Sequence, residues 1–314
     1  MRLSPAIAQY VELKQSMGMR FHAEQVILKA FSKAMGDITF EAVEAERVYA
    51  YIAGAGPVTR FWHRKHETLL GFYRFAAGRG YVVSSPLPRF LPKPSKTFVP
   101  YVYSPEELQH LVDAAHSQEN PRRRLQAHTL RTLLLLLYGA GLRLSEALHF
   151  TIADVDIVNS LLIIHETKFY KTRLVPIGPR LTAVLSTYSK KRQQLGHSQS
   201  LRAPFFVTRH GNPVTPQMAE LAFVRLRESA GVRRQDGSRY QPRLHDLRHA
   251  FTVHRLVSWY RQGADVQRLL PQLSTYLGHI HIAATQRYLT MTPELLEEAS
   301  LRFERYALGG SHQG

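Results

Sequence analysis

Residues 84–108 read SSPLPRFLPKPSKTFVPYVYSPEEL, with six prolines between positions 86 and 105. Proline removes a backbone donor and fixes φ, so no helix or central strand continues through this stretch; it is a semi-rigid spacer that divides the chain. A length of 314 residues points the same way, because single cores stop growing beyond about 250–300 residues. The expected division is a helical domain at 1–84, a linker at 85–103, a second domain at 104–300 and a tail at 301–314.

Upstream of the spacer, residues 4–35 read as helix. Ser4 and Pro5 supply a cap and first turn, and Ile7, Tyr10, Val11 and Leu13 recur at helical spacing. Glycines at 54, 56, 78 and 80 bracket RFWHRKHETLLGFYRFAAGRG, where Arg60, Arg64, Lys65, Arg74 and Arg79 interleave with aromatics. This pattern is either a solvated basic face or a surface that tracks a nucleic-acid backbone. Downstream, Ser104, Pro105 and Glu107 form a capping box. A basic PRRRLQAHTLR leads into an apolar helix at 132–138 that must be buried on most sides. LLIIHET and TRLVPIG are β-rich runs separated by KFYK, a hairpin, and FFVT is a further candidate strand. From 215 onward the periodicity is helical. The fold class is mainly α (α+β): a helical N-terminal domain joined to a mostly helical domain with a small antiparallel sheet.

The chain carries 41 Lys and Arg against 24 Asp and Glu, a formal charge of +17, with a pI near 10.2. Both halves are basic, so the expected partner is a polyanion, nucleic acid first. With no cysteine, disulfides, thiol nucleophiles and cysteine-ligated metals are excluded. Gln9, Glu12 and Lys14 interrupt any signal-peptide core. The longest apolar run, 132–142, falls short of the ~20 residues of a membrane span. A cytoplasmic protein with no membrane association and no small-molecule substrate is expected.

Several side chains suit a phosphate site. GAGLRLSEAL sets Arg143 just past a glycine turn at a helix start, and TKFYKTRLVPIG sets Lys168 at the hairpin entrance. RLHDLRHAF places His245 and Arg248 one helical turn apart. YLGHIHIAATQRYL adds His279 and Tyr288. Singly, each has an ordinary explanation as a surface ion pair, a solvated cation or a satisfied core histidine.

In order and spacing, GLRLSEAL, TRLVPIG, HDLRHAF, YLGH and the final tyrosine resemble the tyrosine recombinase (phage integrase) family, and within it the Xer-type integrases. The likeness covers about residues 104–300, and residues 1–84 more loosely resemble the family's core-binding, DNA-binding domain. The resemblance implies a site-specific recombinase that cuts and rejoins double-stranded DNA through a 3′-phosphotyrosyl intermediate, acting as a homo- or hetero-tetramer on paired sites. It implies Tyr288 as nucleophile, Arg143 and Arg248 on the phosphate oxygens, His279 as a further donor to the phosphate, His245 as acid or base, and Lys168 as general acid. No cofactor or metal is implied. One departure is that relatives often have glycine in the hairpin turn, where this chain has Phe169 and Tyr170, residues that disfavour φ > 0; Lys171 is therefore an alternative acid. Competing readings are a type IB topoisomerase-like enzyme, a catalytically silent DNA-binding regulator of the same fold, and a zinc hydrolase using the i, i+4 pair His245 and His249. Against the last, Asp246 follows the first histidine where zinc helices carry Glu, and Arg248 would sit beside the metal. If Tyr288 is not the nucleophile, Tyr276 is the next candidate.

Overall fold

The computed structural model describes residues 1–56, 58–93, 100–117, 122–165, 172–238 and 240–290, with Leu295, Glu297, Glu298, Ser300 and Leu301 beyond them. Lys168, Lys171, Phe169 and Tyr170 lie outside the described residues, as do Thr292, Pro293, Glu294, Ala299 and Phe303 of the C-terminal segment 292–308. The chain forms two compact units, Met1–Phe98 and Val99–Gly314.

In the first unit, α1 (Leu3–Ser16), α2 (His22–Met35), α3 (Ala45–Ala53) and α4 (Arg60–Gly78) enclose an apolar core. The single helix expected over 4–35 is two. Gly18 (φ 80°) and Phe21 (φ 46°) take left-handed backbone between α1 and α2, which no continuous helix accommodates. The first helix also begins one residue before Ser4, whose backbone N–H donates to Asp37 Oδ1 at 2.7 Å. In α4, Trp62, His66, Leu69, Phe72, Tyr73 and Ala76 recur at helical spacing and are buried. Arg60, Arg64, Arg74 and Arg79 stay exposed. The aromatics between the cations are therefore mostly core.

The second unit is built around α6 (Ala127–Gly139), whose Leu130, Leu133, Leu134, Leu136 and Leu137 are buried. It packs against α5 (Pro105–Ser117), α8 (Pro179–Gln194), α9 (Pro216–Ser229) and α10 (Asp246–Arg261). The α5 capping box is present: Ser104 N–H donates to Glu107 Oε2 at 2.9 Å, and Glu107 N–H to Ser104 Oγ at 3.1 Å. After the short α7 (Leu144–Leu148), strands β1 (Val155–Asp156), β2 (Leu161–Ile164) and β3 (Arg173–Pro176) form an antiparallel sheet in the order β1-β2-β3, with Ile164 opposite Arg173 and Leu161 opposite Pro176. The hairpin thus brackets the Lys168 segment. FFVT joins no strand of this sheet: Phe205 and Phe206 are core residues, and Val207 makes only an isolated bridge to Pro213. Its apolar run reflects burial on a loop. Next along the chain come α11 (Val266–Leu277), α12 (Ala283–Gln286) and a 3₁₀ turn at Arg287–Thr290. Among the described residues no helix is long and apolar enough to cross a membrane.

Candidate active site

The site forms where the glycine turn before α7, the N-terminal end of α10, the C-terminal end of α11 and the 3₁₀ turn meet. Gly141 takes φ 60°, and a Cβ there would sit 2.4 Å from Phe251 Cδ1. That bare backbone lets its carbonyl reach Arg248, whose Nη1 donates to it at 2.7 Å. At the end of α11, Gly278 (φ 67°) terminates the helix: its N–H donates to the Thr275 carbonyl at 2.9 Å, and that of His279 to the Ser274 carbonyl at 3.0 Å. Only a residue at ease in left-handed backbone closes a helix in this way. The freed Leu277 carbonyl accepts from Arg248 Nη2 at 2.6 Å, and the Gly278 carbonyl from Arg143 Nη2 at 3.2 Å.

One carboxylate organises the cations. Glu146 accepts from Arg143 Nη1 at 2.6 Å and from Arg173 at 3.1 and 2.9 Å through a two-pronged fork, and it lies 4.0 Å from Arg248 Nη1. It also caps α7, with Oε2 accepting the Arg143 N–H at 3.0 Å. Among the described residues, three guanidiniums around one carboxylate leave a local excess of two positive charges, an arrangement suited to an anion. Arg248 is 2% exposed. Burial first, then the charge of Arg143, lowers its guanidinium to about 10, which leaves it protonated at neutral pH.

Burial pushes the Glu146 carboxyl up, but the hydrogen bonds and charges of Arg173 and Arg143 outweigh it and hold it at about 2. Because the folded value lies below the usual 4.5, this stabilisation is fully present above about pH 4.5 and is lost as pH falls toward 2. Glu146→Gln should therefore lower the melting temperature markedly at pH 7, where it leaves three cations facing each other. It should also flatten the acid-side loss of stability between pH 4.5 and 2; thermal melts across that range check both effects.

Tyr288 is 4% exposed, packed in the apolar cluster of α10 and α11. Burial raises its pKa; Arg248, a contact with the Thr252 hydroxyl, Arg287 and Arg143 pull it back. Its hydroxyl lies 2.6 Å from His249 Nδ1. His279 stacks parallel to the phenol at 6.5 Å, and its Nδ1 lies 2.7 Å from the Thr285 hydroxyl. Burial, then Arg248, Arg143 and Arg173, lower His279 to about 4. His245 stands at the start of α10, exposed as a residue; partial desolvation of its ring, then the charge of Arg248, lower its pKa.

The structure thus brings Arg143, Arg248, His245, His279 and Tyr288 to one place. Three neighbours that the sequence reading gave no place in this site, Glu146, Arg173 and His249, belong to it as well. Tyr276 is occupied elsewhere: its hydroxyl donates to the Pro176 carbonyl at 3.3 Å and its ring stacks on Phe251. His245 and His249 meet with perpendicular rings at 4.9 Å. Among the described residues no group of three or more His, Cys, Asp or Glu side chains could hold a metal ion.

A mostly helical unit with a small antiparallel sheet, presenting a tyrosine beside clustered guanidiniums, has the form of a tyrosine-type DNA strand transferase. The chain belongs to the phage integrase family, whose sequence profile matches residues 102–294. It is 37% identical over 309 residues to a putative integrase/recombinase, y4rB, of Sinorhizobium fredii, with 96% of each chain covered. Tyrosine recombinase XerC of Chlorobaculum parvum is 30% identical over 285 residues, covering 82% of this chain and 79% of the relative. In structure it is similar to the Tn1549 transposon integrase in complex with transposon right end DNA, with a TM-score of 0.72, 15% identity, and coverage of 98% and 100%. The protein is a site-specific recombinase of the tyrosine class.

Proposed function

We propose that this recombinase cuts and reseals double-stranded DNA through a 3′-phosphotyrosyl bond on Tyr288. The supporting observation is the burial of Tyr288 in the same site as Arg143 and Arg248, beside a local excess of two positive charges. A phenol with a reference pKa of about 10 is a weak nucleophile at neutral pH unless nearby cations or a base assist it. Arg143 and Arg248 bind the non-bridging oxygens of the scissile phosphate and stabilise the charge that grows on them in the transition state. His279 donates a further hydrogen bond, and His245, at the solvent edge, assists as acid or base. Lys168 protonates the departing 5′-oxygen. The phosphotyrosyl bond retains the energy of the cleaved linkage, so a 5′-hydroxyl from another strand reseals it with neither ATP nor metal.

The first unit, with its exposed arginines on α4, is the second DNA-contacting surface, and the enzyme works in the cytoplasm as a homo- or hetero-tetramer on paired sites. A nicked suicide duplex tests the reading: the wild type should become covalently attached to the 3′ end, with undiminished yield in excess EDTA. No attachment would leave a DNA-binding regulator, and a requirement for zinc or magnesium would overturn the metal-free mechanism.

Lys168→Ala should slow cleavage by about 10²–10⁴-fold. A 5′-phosphorothiolate substrate, whose leaving group needs little protonation, should restore it. Arg143→Ala should gain nothing from that substrate, because it loses charge stabilisation rather than a proton. Selective rescue of Lys171→Ala would move the acid to Lys171.

A further inference from the structure

His249 follows Arg248 on α10 and points at the reacting atom, yet none of the steps above uses it. Its Nδ1 lies 2.6 Å from the Tyr288 hydroxyl, with the rings 5.5 Å apart. Burial, then the charges of His245, Arg243, Arg248 and His279, lower its pKa to about 3, so in the DNA-free enzyme the imidazole is neutral. A neutral imidazole has one acceptor nitrogen; in the tautomer that carries its hydrogen on Nε2, Nδ1 accepts from the Tyr288 hydroxyl. The other two histidines of the site are placed for different work. His279 lies face to face with the phenol ring and has its Nδ1 on Thr285. His245 meets His249 edge to face at the solvent side.

Resting on the assignment of Tyr288 as nucleophile, we infer that His249 is the base that receives the Tyr288 proton during strand cleavage. The Oη–H bond breaks and its proton passes to Nδ1, while the Oη electron pair forms the bond to phosphorus. The bond from phosphorus to the 5′-oxygen breaks, and that oxygen keeps the electron pair and takes its proton from the general acid. Resealing runs the same steps backwards and returns the His249 proton to Tyr288. Of the charges that oppose a proton on His249 in the free enzyme, that of Arg248 is one the phosphate binds. Negative charge arriving and growing on the phosphate offsets it when the proton must move. His245 is then left to donate to the phosphate rather than to act as base.

The test compares His249→Asn, His249→Leu and His249→Ala with the wild type in single-turnover cleavage of a nicked suicide duplex, with DNA affinity and thermal melting measured alongside. Asn is similar in size, keeps a carbonyl acceptor close to the position of Nδ1 and cannot hold a proton; Leu offers neither function. A base predicts that Asn and Leu are both slowed by about 10²-fold or more at near-normal DNA affinity, and that added imidazole accelerates His249→Ala. Cleavage by His249→Asn within about threefold of wild type, with Leu slow, would show that acceptance of a hydrogen bond suffices and would overturn the inference. So would a folded, DNA-binding His249→Ala that imidazole does not accelerate. Tyr288→Phe, assayed in parallel, separates the two failures: its covalent attachment to DNA would defeat the nucleophile assignment itself. A silent Tyr288→Phe beside a normal His249→Asn would defeat only the base.

Discussion

Tyr288→Phe is expected to bind its DNA site within about twofold of wild type and to form no covalent complex on a nicked suicide duplex, a loss of at least about 10⁴-fold in attachment. The phenyl ring keeps its place in the buried cluster of α10 and α11 that includes Leu277 and Phe251, so the fold is preserved. What disappears is the hydroxyl and its bond to His249. The cost of leaving that imidazole nitrogen unpaired is on the order of 1–3 kcal/mol, enough to lower the melting temperature by several degrees but not to unfold the unit. Tyr276 offers no relief, since its hydroxyl is engaged by the Pro176 carbonyl. Denaturing gels of end-labelled duplex read the result directly. Attachment by the Phe variant would remove Tyr288 from the mechanism.

That experiment isolates one atom of a site whose parts were unequally visible in the sequence. Arg143, Arg248, His279 and Tyr288 stand in short motifs with distinctive neighbours. Glycines 141 and 278 in those motifs have a structural reason: each frees a carbonyl that an arginine then grips. Glu146 was legible only by its place in the first turn of the helix that GAGLRLSEAL starts. It caps that helix, yet its larger work is to hold Arg143 and Arg173 together, a contact across 27 residues that local spacing does not encode. Arg173 read as part of a β-strand for the same reason. His249 was seen, but its i, i+4 relation to His245 suggested a metal helix; the partner that gives it meaning, Tyr288, is 39 residues away. The fold shows the same boundary. Periodicity located α6, the β2–β3 hairpin and the α5 cap. It merged α1 with α2, because one glycine and one left-handed Phe21 weigh little against a long apolar repeat, and it offered FFVT as a candidate strand, where burial on a loop imitates a buried strand.

Truncation after Thr292 is expected to abolish recombination while leaving binding to a single DNA site near normal. The tail TPELLEEASLRFERYAL presents Leu295, Ala299 and Phe303 at four-residue spacing, with Glu294, Glu297 and Glu298 making it acidic on a basic protein. Leu295 is 1% exposed in the same cluster as Tyr288, and Glu298 pairs with Arg261 at 2.7 Å. The start of the tail therefore seals the unit that carries the nucleophile, seven residues downstream of it. Loss of one buried leucine is worth about 2 kcal/mol, and the exposed Arg261 adds at most about 1 kcal/mol through its pair. The truncated protein should thus melt several degrees lower and remain soluble. We propose that the rest of the stripe docks on a neighbouring copy in the DNA-bound tetramer, so the truncated protein should also lose higher-order complexes. Sedimentation with paired-site DNA decides it. Tetramers that persist without the tail would sink the docking role, whereas a truncated protein that no longer yields soluble monomer would assign the whole stripe to its own unit.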